Sequence, residues 1–428
     1  MVESICLHRV EEDQAADFAA SMAALLSLER GEERLREKSY GDDLHARYRE
    51  TRLRKAGGGS VTVRIRDGIL IVGDSITTMQ DVVIQFRTGG EKEAERLAEK
   101  VLAGEDRYVL ADPYLKLRLR AMGGAAYPPA DPEEGVKAVM GHYLGWQVYG
   151  LSWQWYLLDG NREDPRLVRQ TRVKLRRLRS CLVFFKAGLP SDVVYRWQQE
   201  FKEDAEMLSN MRELDVLLQT CRRYRRCDSN GAITGDSCAM PEPLLLEGVA
   251  EELRQEESAK FYRKFRLNGR TLQLARFLLW LMGSLKWRSA KEHVRDYSER
   301  RLAHWADRLE NMSRKYTDFR EMKDLHKIRI KVKRFRYVVQ TLDVVRLDLN
   351  LLRRLKQLQD MLGLLHDDYI NALWAAGICR KYRKDRALNE ETRQFLAWQG
   401  SQAQAALALL PGVWQEFLAV LKETVPGK

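Results

Sequence analysis

The text LVRQTRVKLRRLRS (167–180) returns 157 residues downstream as DLHKIRIKVKRFRY (324–337). Charge and apolarity keep register between the two copies. Arg169 corresponds to His326, Arg172 to Arg329, Lys174 to Lys331, Arg176 to Lys333, Arg177 to Arg334 and Arg179 to Arg336. Leu175, Leu178 and Leu182 correspond to Val332, Phe335 and Val339. A second echo follows, MRELDV (211–216) with LHDDYI (365–370), at an offset of 154. Two ordered echoes at nearly one spacing imply one helical unit of about 150 residues folded twice.

On a helix, Thr171, Leu175, Leu178, Leu182 and Phe185 form one stripe suited to a core. Arg169, Arg172, Arg176 and Arg179 form another, and His326, Arg329, Lys333 and Arg336 repeat it. Like charges three or four residues apart repel, and no acidic residue of the same helix lies in the stripe. Relief comes from acidic groups on neighbouring helices or from an external anion. Convergent Arg and Lys suit phosphate oxygens through charge-assisted, often bidentate bonds.

The rest of the chain frames these helices. The 428 residues carry a net charge of +12, which suits a polyanionic partner without choosing among nucleic acid, an anionic membrane and a phosphate polymer. The longest apolar run, FLLWLMGSL (277–285), is too short to span a bilayer, so no membrane association is expected. The N-terminus does not read as a signal peptide, and six Cys without a CxxC pair read as reduced thiols of a cytoplasmic protein. Trp153, Trp155, Trp280 and Trp287 fall on apolar stripes and are expected in the core.

Residues 1–125 read as a small α+β region whose purpose the sequence does not give. Within it 28–55 reads as charged helical text and SVTVRIRDGILIVGDS (60–75) as a hairpin turning at Asp67-Gly68. VVIQFRTGG (82–90) is expected to add a strand, and EKEAERLAEKVLAG (91–104) a helix ending at Gly104. GGAAYPPADP (123–132) reads as a linker. From about 130 to 428 the pattern is helical, with repeat one near 130–285 and repeat two near 286–428. Asp164 and Pro165 mark the start of the first basic helix, and Gly188 its end. SNGAITGDSCAMPEP (229–243) is expected as a longer connection.

The ordered motifs VRQTRVKLRRLRS (168–180), MRELDVLL (211–218), LHKIRIKVKRFRY (325–337) and LKQLQDMLGLLHD (355–367) resemble the CHAD family, as does FLAWQGSQAQAALALLPGVWQEF (395–417). The resemblance implies a mainly α fold of two pseudo-symmetric four-helix bundles around a basic central channel. It implies binding of inorganic polyphosphate, association with polyphosphate granules and their proteins, and no enzymatic activity or cofactor through this domain. The polyphosphate-binding residues it implies are Arg169, Arg172, Arg176, Arg179, Arg212, His326, Arg329, Lys333, Arg336 and Lys356. Arg169 stands where the family usually has His, which weakens metal chelation and leaves anion binding intact. Asp215, Asp360 and Asp367 are expected to orient arginines. Family members often carry an N-terminal CYTH domain opening on an ExExK strand. No such motif is found on a strand here, so triphosphatase chemistry is not assigned.

Two rivals remain at this level. His326, His366, Asp367 and Asp385 occur in the order used by metal-dependent phosphohydrolases of the HD class. CRRYRRC (221–227) and CRKYRKDR (379–386) interleave cations with Tyr, as nucleic-acid binding surfaces do, although cations are also favoured near helix C-termini. Cys221 and Cys227 are poorly spaced for a metal site.

Overall fold

A computed structural model describes residues 3–10, 17–55, 60–115, 118–119, 131–229, 244–283, 292–315, 319, 321–342 and 349–425. The first part is one antiparallel sheet with the order β2-β3-β4-β5-β1-β6. Its strands are β1 (Glu3–Arg9), β2 (Glu29–Ser39), β3 (Leu44–Arg54), β4 (Val61–Val72), β5 (Ser75–Phe86) and β6 (Tyr108–Ala111). Helices α1 (Phe18–Leu26) and α2 (Glu91–Leu102) bury Phe18, Met22, Ala94 and Leu97 in the same core as Leu53, Val63, Val82 and Ile84.

Two local expectations fail here, each for a physical reason. Residues 28–55 are the strands β2 and β3, not a helix. Their charges pair across the strands, Arg47 with Glu37 at 2.8 Å and Arg49 with Glu33 at 3.4 Å, while Ala46, Tyr48 and Glu50 alternate inward. Asp67-Gly68 lies inside β4, opposite Arg49 and Tyr48, and the chain turns instead between Val72 and Ser75. Gly73 there has φ of +57°. Gly68 is needed for another reason: a Cβ would run into the Arg47 carbonyl and lie 2.6 Å from Tyr48 Cα.

Beside the sheet's second apolar cluster, Asp81 is fully buried. Arg118 Nη1 donates to both its oxygens, at 2.9 and 3.0 Å, and His8 Nδ1 lies 3.0 Å away. Burial would raise this carboxyl, but Arg118, His8 and Arg66 together hold it well below the usual range.

The remainder is helical. The first repeat contains α3 (Val136–Gly160), α4 (Pro165–Phe185), α5 (Ser191–Met207), α6 (Ser209–Ser229), α7 (Leu245–Lys264) and α8 (Leu267–Gly283). The second contains α9 (Val294–Lys315), α10 (Met322–Leu342), α11 (Leu349–Lys381) and α12 (Arg386–Thr424). The basic helices α4 and α10 have 21 residues each. Asp164 caps α4 by accepting from Arg166 N at 2.8 Å, with Pro165 at its first position, and a 3-10 turn at Lys186–Gly188 ends it. Thr171, Leu175, Leu178, Leu182 and Phe185 are all fully buried, as the stripe requires. The repeats differ in continuity. The break at Leu208 between α5 and α6 has no counterpart in α11, one helix of 33 residues.

The copies meet in a two-fold pattern. Val136 N donates to Glu292 O at 3.0 Å and Val294 N to Glu134 O at 2.9 Å, forming an antiparallel bridge between Gly135 and His293. The bridged Gly135 and His293 are 158 positions apart, close to the 157-residue spacing of the basic helices, and the two hydrogen bonds are reciprocal about them. A separate cluster joins the repeats, with Leu214, Leu217 and Cys221 of α6 against Ile378, Leu388 and Phe395 of α11 and α12. Glu391 of α12 caps the start of α7, accepting from Leu245 N and Leu246 N at 3.0 and 2.9 Å.

The sheet is fixed to the helices. Asn268 accepts from Tyr108 N, Thr271 donates to Tyr108 O, and Ser152 accepts from Leu110 N, which ties β6 to α3 and α8. Trp155 is core as expected, Trp153 is 45% exposed, and Trp287 lies outside the described residues. Most of 123–132 and of 229–243 also lies outside them. Cys6, Cys181 and Cys221 are buried free thiols and Cys379 is a half-buried one. By length and composition alone α12 has a window apolar enough to cross a bilayer, and 33% of that window is buried inside the protein.

Candidate functional site

The basic stripes of α4 and α10 face each other across a cavity of about 600 Å³. Helix α4 contributes Arg169, Arg172 and Arg176, and α10 contributes Arg329, Lys333 and Tyr337. Helix α6 adds Arg212, Glu213 and Arg223. Helix α11 adds Asp360, His366, Asp367 and Asp368, and α12 adds Gln399 and Gln402. Seven lining basic side chains thus stand against four carboxyl groups.

Crowding of like charges shows in the acid–base behaviour. Burial, then Arg329 and Arg176, push Lys333 down to about 6. Burial and Arg176 bring Arg172 to about 10, and burial brings Arg329 to about 10 although Asp367 opposes it. Both guanidiniums therefore remain charged at neutral pH. Burial and Arg329 hold His366 near 3, so it is neutral. Burial raises Asp367 against the pull of Arg329, Lys333 and Arg212.

Hydrogen bonding leaves donors over. Arg172 Nη1 bonds the Ala205 carbonyl and donates to Ser209 Oγ at 2.8 Å, spanning the α5–α6 break, while its Nε has no acceptor. Arg212 Nη1 and Arg329 Nε are likewise buried without an acceptor in the protein. Arginines elsewhere, such as Arg52 and Arg64 of the sheet, also have an Nε without an acceptor, but those at the cavity stand beside a space that a ligand can enter.

Six of the ten sequence-selected residues line this cavity: Arg169, Arg172, Arg176, Arg212, Arg329 and Lys333. The other four are not among its lining residues. His326 is exposed, with its ring 5.5 Å from the His366 ring. Lys356 is exposed, one turn before Asp360. Arg179 and Arg336 are half-buried, and Arg334 of α10 lies near Arg179. Asp215 does orient an arginine, accepting from Arg254 Nε at 3.2 Å. Arg223, Gln399 and Gln402 escaped selection. Arg223 lay inside the Arg-rich CRRYRRC text, whereas the two Gln carried no signal of charge or spacing.

The metal site of the HD reading does not assemble among the described residues. Asp385 caps α12 by accepting from Leu388 N at 3.0 Å, away from the cavity-lining His366 and Asp367. No group of three or more His, Cys, Asp or Glu suited to a metal ion occurs among the described residues. In CRRYRRC, Tyr224 packs on Phe395 and Trp398, and Arg222 and Arg225 pair with Glu247. Phe395 is core, and Tyr224 and Trp398 are half-buried against it.

The family model of the CHAD domain matches residues 153–376, which spans the cavity-lining segments of α4, α6, α10 and α11. The chain belongs to the CHAD family. Solved structures agree on the fold. The CHAD domain from the plant Ricinus communis aligns with a TM-score of 0.53 at 18% identity, over 68% of this chain and 95% of that one. PptA from Streptomyces chartreusis aligns with a TM-score of 0.50 at 16% identity, over 66% of this chain and all of that one. No curated protein matches the chain.

Proposed function

We propose that this CHAD protein binds inorganic polyphosphate in the cavity between α4 and α10, without catalysis, and that it does so in the cytoplasm on polyphosphate granules. In this reading the repeats are two four-helix bundles and the cavity is the channel between them. The observation that carries it is the set of buried guanidinium N–H groups without acceptors in a cavity with surplus positive charge. Each acceptor-less donor would gain a charge-assisted bond from a phosphate oxygen, about 1.5–3 kcal/mol apiece. The chain of phosphates would release its counterions on entry. Nucleic acid would compete chiefly through charge, since Tyr337 is the one aromatic residue among the cavity's described lining residues.

The test is a salt series of titrations with labelled long-chain polyphosphate, using single-stranded DNA of equal charge as competitor. Affinity should fall by roughly one log–log unit per neutralised phosphate, by analogy with nucleic acids. Arg172→Glu with Arg329→Glu should abolish binding while circular dichroism shows helicity intact. Because Arg172 also braces the α5–α6 break, the exposed Arg169→Glu serves as a second variant and should weaken binding several-fold. Wild-type affinity in both would sink the proposal, and equal displacement by DNA would reduce it to a general polyanion surface.

A further inference from the structure

Helix α10 carries cations on two sides. Arg329 and Lys333 line the main cavity, whereas Lys331 and Arg334 line a second one of about 280 Å³. Its other charged walls are Arg301 and Arg308 of α9 and Lys186 of the turn after α4, and no carboxylate lines it. Among the described residues the side chains of Lys186, Arg308, Lys331 and Arg334 form no ion pair or hydrogen bond. Arg301 is anchored, its Nε donating to Phe184 O at 3.1 Å and its Nη2 to Val183 O at 3.3 Å. Burial, then Arg334, Arg308 and Lys186, lower the Lys331 ammonium, and burial lowers Arg334.

The other repeat shows that this charge is not a requirement of the fold. At the 158-residue spacing of the Gly135–His293 bridge, Arg301, His304 and Arg308 of α9 fall opposite Tyr143, Trp146 and Gly150 of α3. Lys174 and Arg177 are the counterparts of Lys331 and Arg334. Lys174 Nζ sits 3.0 Å from where a Gly150 Cβ would be, so the bare helix face accommodates it. Arg177 lies over the Tyr337 ring at 6.0 Å. One repeat therefore absorbs its pair of cations, whereas around the other pair stand Arg301 and Arg308 of the same repeat and Lys186 from the first.

We propose that the pocket formed by Lys186, Arg301, Arg308, Lys331 and Arg334 is a second anion site, for a compact ligand of two or three phosphoryl groups such as pyrophosphate. Its volume is slightly under the roughly 300 Å³ at which small-molecule pockets begin, too little for a long chain to coil within. The site is distinct from the cavity between the stripes and does not depend on the polyphosphate reading.

Calorimetric titration of the full chain with pyrophosphate tests it. Binding should persist in Arg172→Glu/Arg329→Glu and weaken about tenfold or more in Arg308→Ala/Lys331→Met, where Met preserves the apolar stem. Arg308→Glu alone, at an exposed position, should weaken it similarly without disturbing packing. Failure of wild-type protein to bind pyrophosphate, binding unchanged in both pocket variants, or binding lost in the main-cavity variant would each overturn the proposal.

Discussion

Lys333 has a pKa of about 6, far below the ~10.4 of a free lysine, because it is buried beside Arg329, Arg176 and Arg172. Near neutral pH the empty protein holds it mostly uncharged. An anion among those residues favours the ammonium, so binding should take up a proton between about pH 6 and the bound pKa. Affinity should then fall as pH rises through that window. Titrations at pH 7.5 in buffers of different ionisation enthalpy should reveal the uptake, and Lys333→Met should reduce it. Equal uptake in the variant would assign the proton elsewhere, Asp367 being the neighbouring candidate. For the empty protein, the unfolded chain carries the Lys333 proton between ~6 and ~10.4 and the folded chain does not, so this group adds stability as pH rises. At this scale the sequence named the cations but not their states. Charge is written in residue type, whereas desolvation arises from helices over a hundred residues apart.

Helices α4 and α10 were legible because a core stripe and a basic stripe share each of them at helical spacing. The start of α4 was legible too, and Asp164→Ala should cost about 1 kcal/mol, seen as a lower urea midpoint at unchanged slope. No shift would mean that water replaces the cap in full. The strands β2 and β3 were misread because Glu and Arg are favourable in helices and dominate both segments. The competing signal was the alternation of Ala46, Tyr48 and Glu50, which registers burial on one side of a sheet. Asp67-Gly68 resembled a hairpin turn, yet Gly68 serves close packing of β4 on β3. The interruption between α5 and α6 left no legible mark, since the same helical pattern runs through Leu208.

For the whole molecule, the sequence suggested an N-terminal region joined by a linker, and the packing shows a shared core. Leu110 and Tyr108 of the sheet lie in one apolar cluster with Leu144, Leu151 and Leu274 of the helices. Heat should therefore unfold the protein in a single calorimetric transition, with calorimetric and van't Hoff enthalpies in agreement. Two resolved transitions would mean that the sheet melts independently. The reciprocal bridge at Gly135 and His293 has a consequence for the choice of ligand. A linear phosphate polymer has no direction: inverted end for end, it presents the same oxygens at the same spacing. The α4 and α10 sides of the cavity carry corresponding cations, Arg172 with Arg329 and Arg176 with Lys333, so those two walls offer such a polymer similar partners in either sense. A nucleic-acid strand runs 5′ to 3′ and has no such equivalence, so inversion gives it a different set of contacts.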